Sequence, residues 1–319
     1  MDKKIIDRAS QRVQQNMAQN KKKKTLPKPR TVTEVSAERL KERTQEAVAP
    51  STGYPELDGI IKGFIPGHLY TLTGDTNVGK TTLACNFAVR VAKQNRKALY
   101  FALEPENTVV DYLASVRTNK KFDDLTSEDI SKDDGNIHIF GKEEVSTIDD
   151  MIEIIDNIDV HYDLIVIDHI GYFISGGNNW LQEQSNAIKK LAGLTKRKKV
   201  AIMVIAHLRK KQAGQKKDYV PTSDDISGSG AFKQDSTEVM IVTRDVQDTE
   251  GSGMEYSDTG RLYVTKTKSG PNGSMALNFQ ERKANIFSDA ESLSPFYRSQ
   301  YPMDDEDDEW VGEVTSALF

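Results

Sequence analysis

Residues 68–94 read HLYTLTG, DTNVGK, TTLACNFAVRVAKQ. The first seven are aromatic, branched and apolar and close on Gly74, which predicts a strand over 68–74. The last fourteen, 81–94, carry apolar residues at helical spacing and predict an amphipathic helix. Between them, Gly74-Asp75-Thr76-Asn77-Val78-Gly79-Lys80-Thr81 completes the pattern G-x-x-x-x-G-K-[ST], with Thr82 opening the helix behind it. The glycines of such a loop let backbone N–H groups turn inward around phosphate oxygens. The lysine adds a point charge at the β- and γ-phosphates, and the threonine hydroxyl reaches Mg²⁺. Residues 74–82 therefore predict binding of ATP, or another NTP or dNTP, with Mg²⁺.

Outward from this loop, strands and helices alternate. KALYFALE (97–104), DLIVID (163–168) and KVAIMVIAH (199–207) are near-continuous apolar runs of the kind that parallel strands show. Helices are predicted over 146–158, capped by Ser146 or Thr147, and over 180–198. Three later strand candidates are 238–245, 260–269 and 273–280, with SGPNG (269–273) as the turn between the last two. The expected fold is α/β, a mainly parallel sheet extended by antiparallel strands.

Further candidates sit at strand ends. Asp168 closes the apolar run Leu164–Ile167, where a carboxylate can hold the magnesium or its water. Glu104 ends the second strand, where an acid could take a proton from the attacking water; Glu106 is a close competitor. His207 ends a third strand on the same edge, where an imidazole can bond the γ-phosphate and report its loss, or can be structural. The other histidines, at 68, 138, 161 and 169, have no metal-ligand spacing. Beyond His207 come Arg209, Lys210 and Lys211, then Ser227, Gly228, Ser229, Gly230 and Lys233. A basic, glycine-rich loop there can follow a nucleic-acid backbone, and its few aromatic residues imply weak sequence preference. Read alone, it is equally a solvated loop. Lys266 and Lys268 alternate along a strand and so share one face, which must meet solvent, an acid, or a phosphate from a neighbouring subunit.

The ends differ from the middle. Hydrophobic residues make up 37% of the 319, below the roughly 45–50% of ordinary domains, and the deficit lies mainly in the two termini. Residues 1–50 hold thirteen Lys/Arg against six Asp/Glu, while 304–319 hold seven acids and no base. Three segments are expected: a basic flexible arm with a linker helix (1–50), an ATPase core (51–287), and an acidic disordered tail (288–319). No run approaches the ~18–20 apolar residues of a membrane span. There is no secretory pattern at the start, and one cysteine makes no internal disulfide. A soluble, cytoplasmic protein without a membrane partner is the expectation.

In this order the motifs resemble those of the hexameric replicative DNA helicases of the DnaB type, and more closely the helicase half of the phage primase-helicases. The similarity covers roughly 51–281. It implies a RecA-like ATPase core that assembles as a homo-oligomeric ring, a hexamer in the family. It also implies movement on single-stranded DNA at a replication fork in the 5′ to 3′ direction. By the same resemblance Glu104 matches the catalytic base, Asp168 the magnesium-side acid and His207 the phosphate sensor. The loop around 227–233 matches a DNA-contacting loop, and Lys266 with Lys268 the pair donated across the subunit interface. Two positions depart from the family pattern: Lys268 stands where arginine is usual, and so does Ser227. Lysine lacks the bidentate fork of arginine. The resemblance further implies a primase on a separate chain, and an acidic tail, with Trp310 and Phe319, that engages a replicative DNA polymerase. Two other functions share these motifs in part, a RecA-like strand-exchange protein and a DNA-independent ring ATPase that remodels proteins.

Overall fold

The computed structural model describes residues 31–33, 35–37, 40, 49–103, 106–132, 135–174, 177–208, 222–226, 228–249, 253–279 and 286–287. Glu104, Arg209, Lys210, Ser227, most of the basic arm and the whole of the expected tail lie outside them. The chain divides into two units, Met1–Thr44 and Gln45–Phe319. In the first, the described residues 32–33, 35–37 and 40 are helical, and the Val35 N–H bonds the Thr31 carbonyl at 3.1 Å.

The second unit is a nine-stranded sheet, among the described residues, with helices on both faces. Its elements run α1 (Pro55–Ile61), β1 (Leu69–Gly74), α2 (Lys80–Lys93), β2 (Ala98–Ala102), α3 (Glu106–Thr118), α4 (Ser127–Ser131) and β3 (Ile137–Gly141). There follow α5 (Ile148–Asn157), β4 (Leu164–Asp168), α6 (Trp180–Lys198), β5 (Ala201–His207) and α7 (Ser229–Asp235). The last four strands are β6 (Glu238–Thr249), β7 (Gly253–Lys266), β8 (Gly273–Phe279) and β9 (Ile286–Phe287). Spatial order is β3-β2-β4-β5-β1-β6-β7-β8-β9. The first six strands in that order are parallel, and β7, β8 and β9 add on antiparallel.

Alternation of side chains divides the core. Tyr100, Ala102 and Val166 face the layer of α2 with Leu83 and Phe87, whereas Leu99, Phe101 and Ile165 face α6 with Ile188 and Leu191. Thr147 caps α5 through a reciprocal pair with Asp150, which selects between the two expected caps.

Three expectations are corrected. The strand read over 260–269 ends at Lys266, because its partner β6 begins at Glu238 and the last registered pair is Val239 with Lys266. Lys268 therefore lies beyond the strand, exposed, and does not continue its alternation. The glycine-rich segment read as a loop turns helical at Ser229, because Phe232 is fully buried and anchors the turn. Finally, α1, α3 and β3 are elements that the alternation of strong apolar runs did not reveal.

The entry to the core is fixed by a buried carboxyl. Asp58 is 4% exposed, takes a hydrogen bond from the Ser51 hydroxyl, and accepts the Thr52 N–H at 2.9 Å. Burial raises its pKa to about 6, against the lowering effect of the Ser51 and Thr52 bonds. A carboxyl raised in the folded state binds its proton more tightly there than in the unfolded chain. Stability is therefore greatest below the unfolded value of 3.8 and falls as pH rises to about 6. A rise of that size corresponds to about 3 kcal/mol. Asp58→Asn keeps an acceptor for Thr52 and a partner for Ser51. The expected outcome is loss of that pH-dependent component between pH 4 and 6 in denaturant melts.

Candidate nucleotide and nucleic-acid site

Parallel register gathers the expected residues at the carboxyl edge of the sheet. Gly74 at the end of β1 stands opposite His207 at the end of β5, and Ala102 of β2 stands opposite Asp168 of β4. The Leu103 N–H bonds the Asp168 carbonyl at 2.8 Å, so the residue that follows β2 lies beside the end of β4.

The loop from Gly74 to Lys80 has backbone that side chains would obstruct. Asn77 has φ 62° and Gly79 φ 93°. A Cβ on Gly79 would come within 2.5 Å of Phe279 Cε1, and one on Gly74 within 2.6 Å of the Val242 carbonyl oxygen. Gly79 caps α2 and has no side chain with which to bond the helix's first amides. Lys80 is 7% exposed, and its ammonium donates to the carbonyls of Gly74 at 3.3 Å and Asp75 at 2.7 Å. Asp75, Thr76 and Asn77 are exposed, Val78 and Thr82 are buried, and Thr81 is half-buried at the start of α2.

Asp168 is 1% exposed, and its Oδ2 accepts the Tyr100 hydroxyl at 2.9 Å. His207 is exposed, and its ring meets that of His169 edge to face, with centroids 4.7 Å apart. This set fits a nucleotide and a hard divalent cation. The loop offers backbone N–H groups and an ammonium to phosphate, while the Asp168 carboxylate and Thr81 hydroxyl are oxygen donors of the type Mg²⁺ takes.

Three residues that the sequence did not single out flank the loop. Phe279 of β8 presses on Gly79, the Arg244 guanidinium lies 4.5 Å above the Phe279 ring, and the Tyr256 hydroxyl donates to the Thr76 carbonyl at 3.2 Å. They come from β6, β7 and β8, remote in sequence from the loop. Only the need of a buried aromatic ring for a neighbour hints at them.

The segment expected to contact DNA leaves the same edge. Leu208 bridges Ile226, and Gly228, at φ 74°, caps α7. The positive φ of Gly228 favours glycine there, and the end of the Gln184 side chain packs against it. Lys233 is exposed and paired with Asp224 at 2.8 Å. The far end of α7 is held by Lys266, whose ammonium donates to the carbonyls of Lys233, Gln234 at 3.5 Å and Ser236 at 2.6 Å. Expected to meet solvent, an acid or a phosphate, it instead closes a helix C-terminus, where a cation opposes the carbonyl dipoles. Burial and the nearby Lys268 lower its pKa.

The sheet order, the phosphate loop and the carboxylate on the neighbouring strand define a RecA-like P-loop ATPase fold. Two solved structures share it. The chain aligns with TM-score 0.66 at 18% identity to a DnaB-like replicative helicase studied for its interactions with primase, over 86% of this chain and 71% of that one. With a second solved structure, an ATPase domain, the TM-score is 0.67 at 18% identity, over 81% of this chain and 99% of that one.

Residues 50–289 match the family described as DnaB-like helicase C terminal domain, and the chain belongs to that family. Among relatives, the replicative DNA helicase DnaB of Mycoplasma genitalium is 25% identical over 277 residues, 79% of this chain and 58% of that protein. That of Geobacillus stearothermophilus is 26% identical over 261 residues, 76% of this chain and 57% of that protein. The chain thus spans less than two thirds of the length of these relatives.

The tightness at Gly79 has a measurable consequence. Gly79→Ala forces a positive φ on a side chain and drives it into Phe279, a cost of about 1–3 kcal/mol. The expected result is a lowered unfolding temperature together with loss of fluorescent ATP-analogue binding. Adding Phe279→Ala removes the clash but keeps the positive φ and opens a cavity, so it should restore neither stability nor binding.

Proposed function

We propose that this chain is an ATP-driven replicative helicase subunit that works in a ring, moves on single-stranded DNA and separates duplex at a fork. The observation that carries this reading is the placement of the two lysines. Gly74 registers with Val242 and Val242 with Leu262, whereas Lys266 registers with Val239 and hence with Thr71. Three residues along the sheet put Lys266 about 10 Å below its own phosphate loop. Lys266 is engaged at the end of α7, so in this reading the exposed Lys268 beyond it is the lysine that serves a phosphate on another copy of the chain, and a closed ring gives every copy such a neighbour. The family match supports unwinding over strand exchange or protein remodelling.

In this reading the N–H groups of residues 74–81 and Lys80 bind the phosphates. Mg²⁺ supplies charge neutralisation of the phosphates, held from the protein side by Thr81 and Asp168. Glu104 takes the proton of the attacking water, and His207 bonds the γ-phosphate and communicates its loss through Leu208 to the segment before α7. Gly228, Ser229, Gly230 and Lys233, with Arg209, Lys210 and Ser227, follow the DNA backbone. The 288–319 tail binds a replicative polymerase through charge and its two aromatic anchors, a primase acts as a separate partner, and the site of action is the cytoplasm. No helix among the described residues is long and apolar enough to cross a membrane.

The deciding experiment mixes the full chain with ATP, Mg²⁺ and a forked duplex. Strand separation is expected, abolished by Lys80→Ala and reduced by roughly 10²–10⁴ in Glu104→Gln, which keeps nucleotide and DNA binding. Hydrolysis that DNA does not stimulate, with no unwinding, would overturn the reading.

The trans role has its own test. Lys268→Ala subunits mixed with Lys80→Ala subunits should recover hydrolysis at the interfaces that keep both groups. Mixed rings shown to form yet remaining inactive would remove Lys268 from the neighbour's site.

A further inference from the structure

A buried polar chain runs from α2 to the end of β4. The Cys85 thiol donates to the Tyr100 hydroxyl oxygen at 3.9 Å, and that hydroxyl donates to Asp168 Oδ2 at 2.9 Å. Cys85 and Tyr100 are both 0% exposed, set among apolar side chains of the core. A phenylalanine at 100 would fill the same space, so the hydroxyl has a purpose only through its bond. Register explains the reach. Tyr100 pairs with Val166 and Ala102 with Asp168, so the long ring spans the two residues that separate its own level from the carboxylate.

Cys85 lies four residues, one helical turn, beyond Thr81 on α2, which brings the face of the phosphate-loop helix to the same hydroxyl. The thiol is inert here, since burial and the Asp168 charge push it well above its ordinary range. Burial and the same carboxylate also keep the phenol protonated, hence a donor.

We propose that Tyr100 is a positioning residue for the metal-side carboxylate. By holding Oδ2 it fixes the plane of Asp168 and so the direction in which the group meets a divalent cation carried with the nucleotide. This rests on the reading of Asp168 as the metal-side acid. A partner of this kind shapes metal affinity without touching the metal.

The test uses the full chain, a slowly hydrolysed ATP analogue, and Mn²⁺ as the paramagnetic probe, with affinity read by electron paramagnetic resonance. Tyr100→Phe should weaken Mn²⁺ binding by roughly 10–100-fold. Metal-free nucleotide affinity should stay unchanged, while the unfolding temperature falls because a buried carboxylate loses a donor. Asp168→Asn should weaken Mn²⁺ binding as well, and the double variant should be no weaker than Asp168→Asn alone, because Tyr100 acts through that carboxylate. Wild-type Mn²⁺ affinity in Tyr100→Phe, or a double variant weakened by the product of the two effects, overturns the positioning role. Wild-type affinity in Asp168→Asn instead overturns the reading of Asp168 itself, and the inference with it. Should Tyr100→Phe not fold, Tyr100→3,5-difluorotyrosine keeps ring and hydroxyl but makes a more acidic donor. A changed Mn²⁺ affinity then supports the role, and an unchanged one overturns it.

Discussion

The parallel pairing of β2, β4, β5, β1 and β6 is the constraint on which everything else depends, because it sends five carboxyl ends to one edge. Each of those strands is delivered by chain that crosses the sheet, so its direction and register are set before any functional side chain is placed. The amino edge is pinned as firmly. The Lys97 N–H bonds Asp163 Oδ2 at 3.0 Å, the Asp163 N–H returns to the Lys97 carbonyl at 2.8 Å, and Arg96 closes on the same carboxylate. With β2 and β4 locked at the start, Ala102 and Asp168 arrive level at the end. A slip of one residue would turn Asp168 to the other face, away from α2 and Tyr100.

A second constraint concerns α7. At one end Gly228 holds a positive φ that favours glycine, with Gln184 packed against it, and at the other Lys266 gathers carbonyls from the last turn. The bridge between Leu208 and Ile226 joins the first of these ends to the strand that carries His207. The helix is thus seated between a strand end on the nucleotide edge and a cation on the opposite edge. Its seven residues are too few to be stable without such anchoring.

The phosphate loop, Asp168 and His207 were legible because each closes a long apolar run, and such runs read as buried strands whatever surrounds them. Helix 180–198 is legible to its last residue for a different reason, a sustained apolar period. β3 was not, since Ile137–Gly141 is a half-buried edge strand with a polar residue inside it. The contacts of Phe279, Arg244 and Tyr256 with the loop could not be read either, because they depend on how far the antiparallel strands fold back. Tyr100 carried a faint signal: a hydroxyl in an apolar strand demands a partner, but only the pairing of β2 with β4 names Asp168. Lys266 misled, since two lysines in alternation suggest a shared face, and the late start of β6 removed the second from the strand.

The pairing of Lys233 with Asp224 bears on how salt would tune a DNA contact there. Tight binding to a strand gains from the release of cations condensed on it, so log K falls with log[salt] at a slope of roughly −0.7 per neutralised phosphate for single strands. A phosphate that reaches Lys233 must first displace the Asp224 carboxylate, nine residues back along the same chain at 2.8 Å, and that anion stays tethered nearby. An exchange of one anion for another makes the net gain at Lys233 smaller than a bare ammonium would give, so a count of lysines overstates the grip on DNA, and it gives the strand a carboxylate competitor each time it lets go.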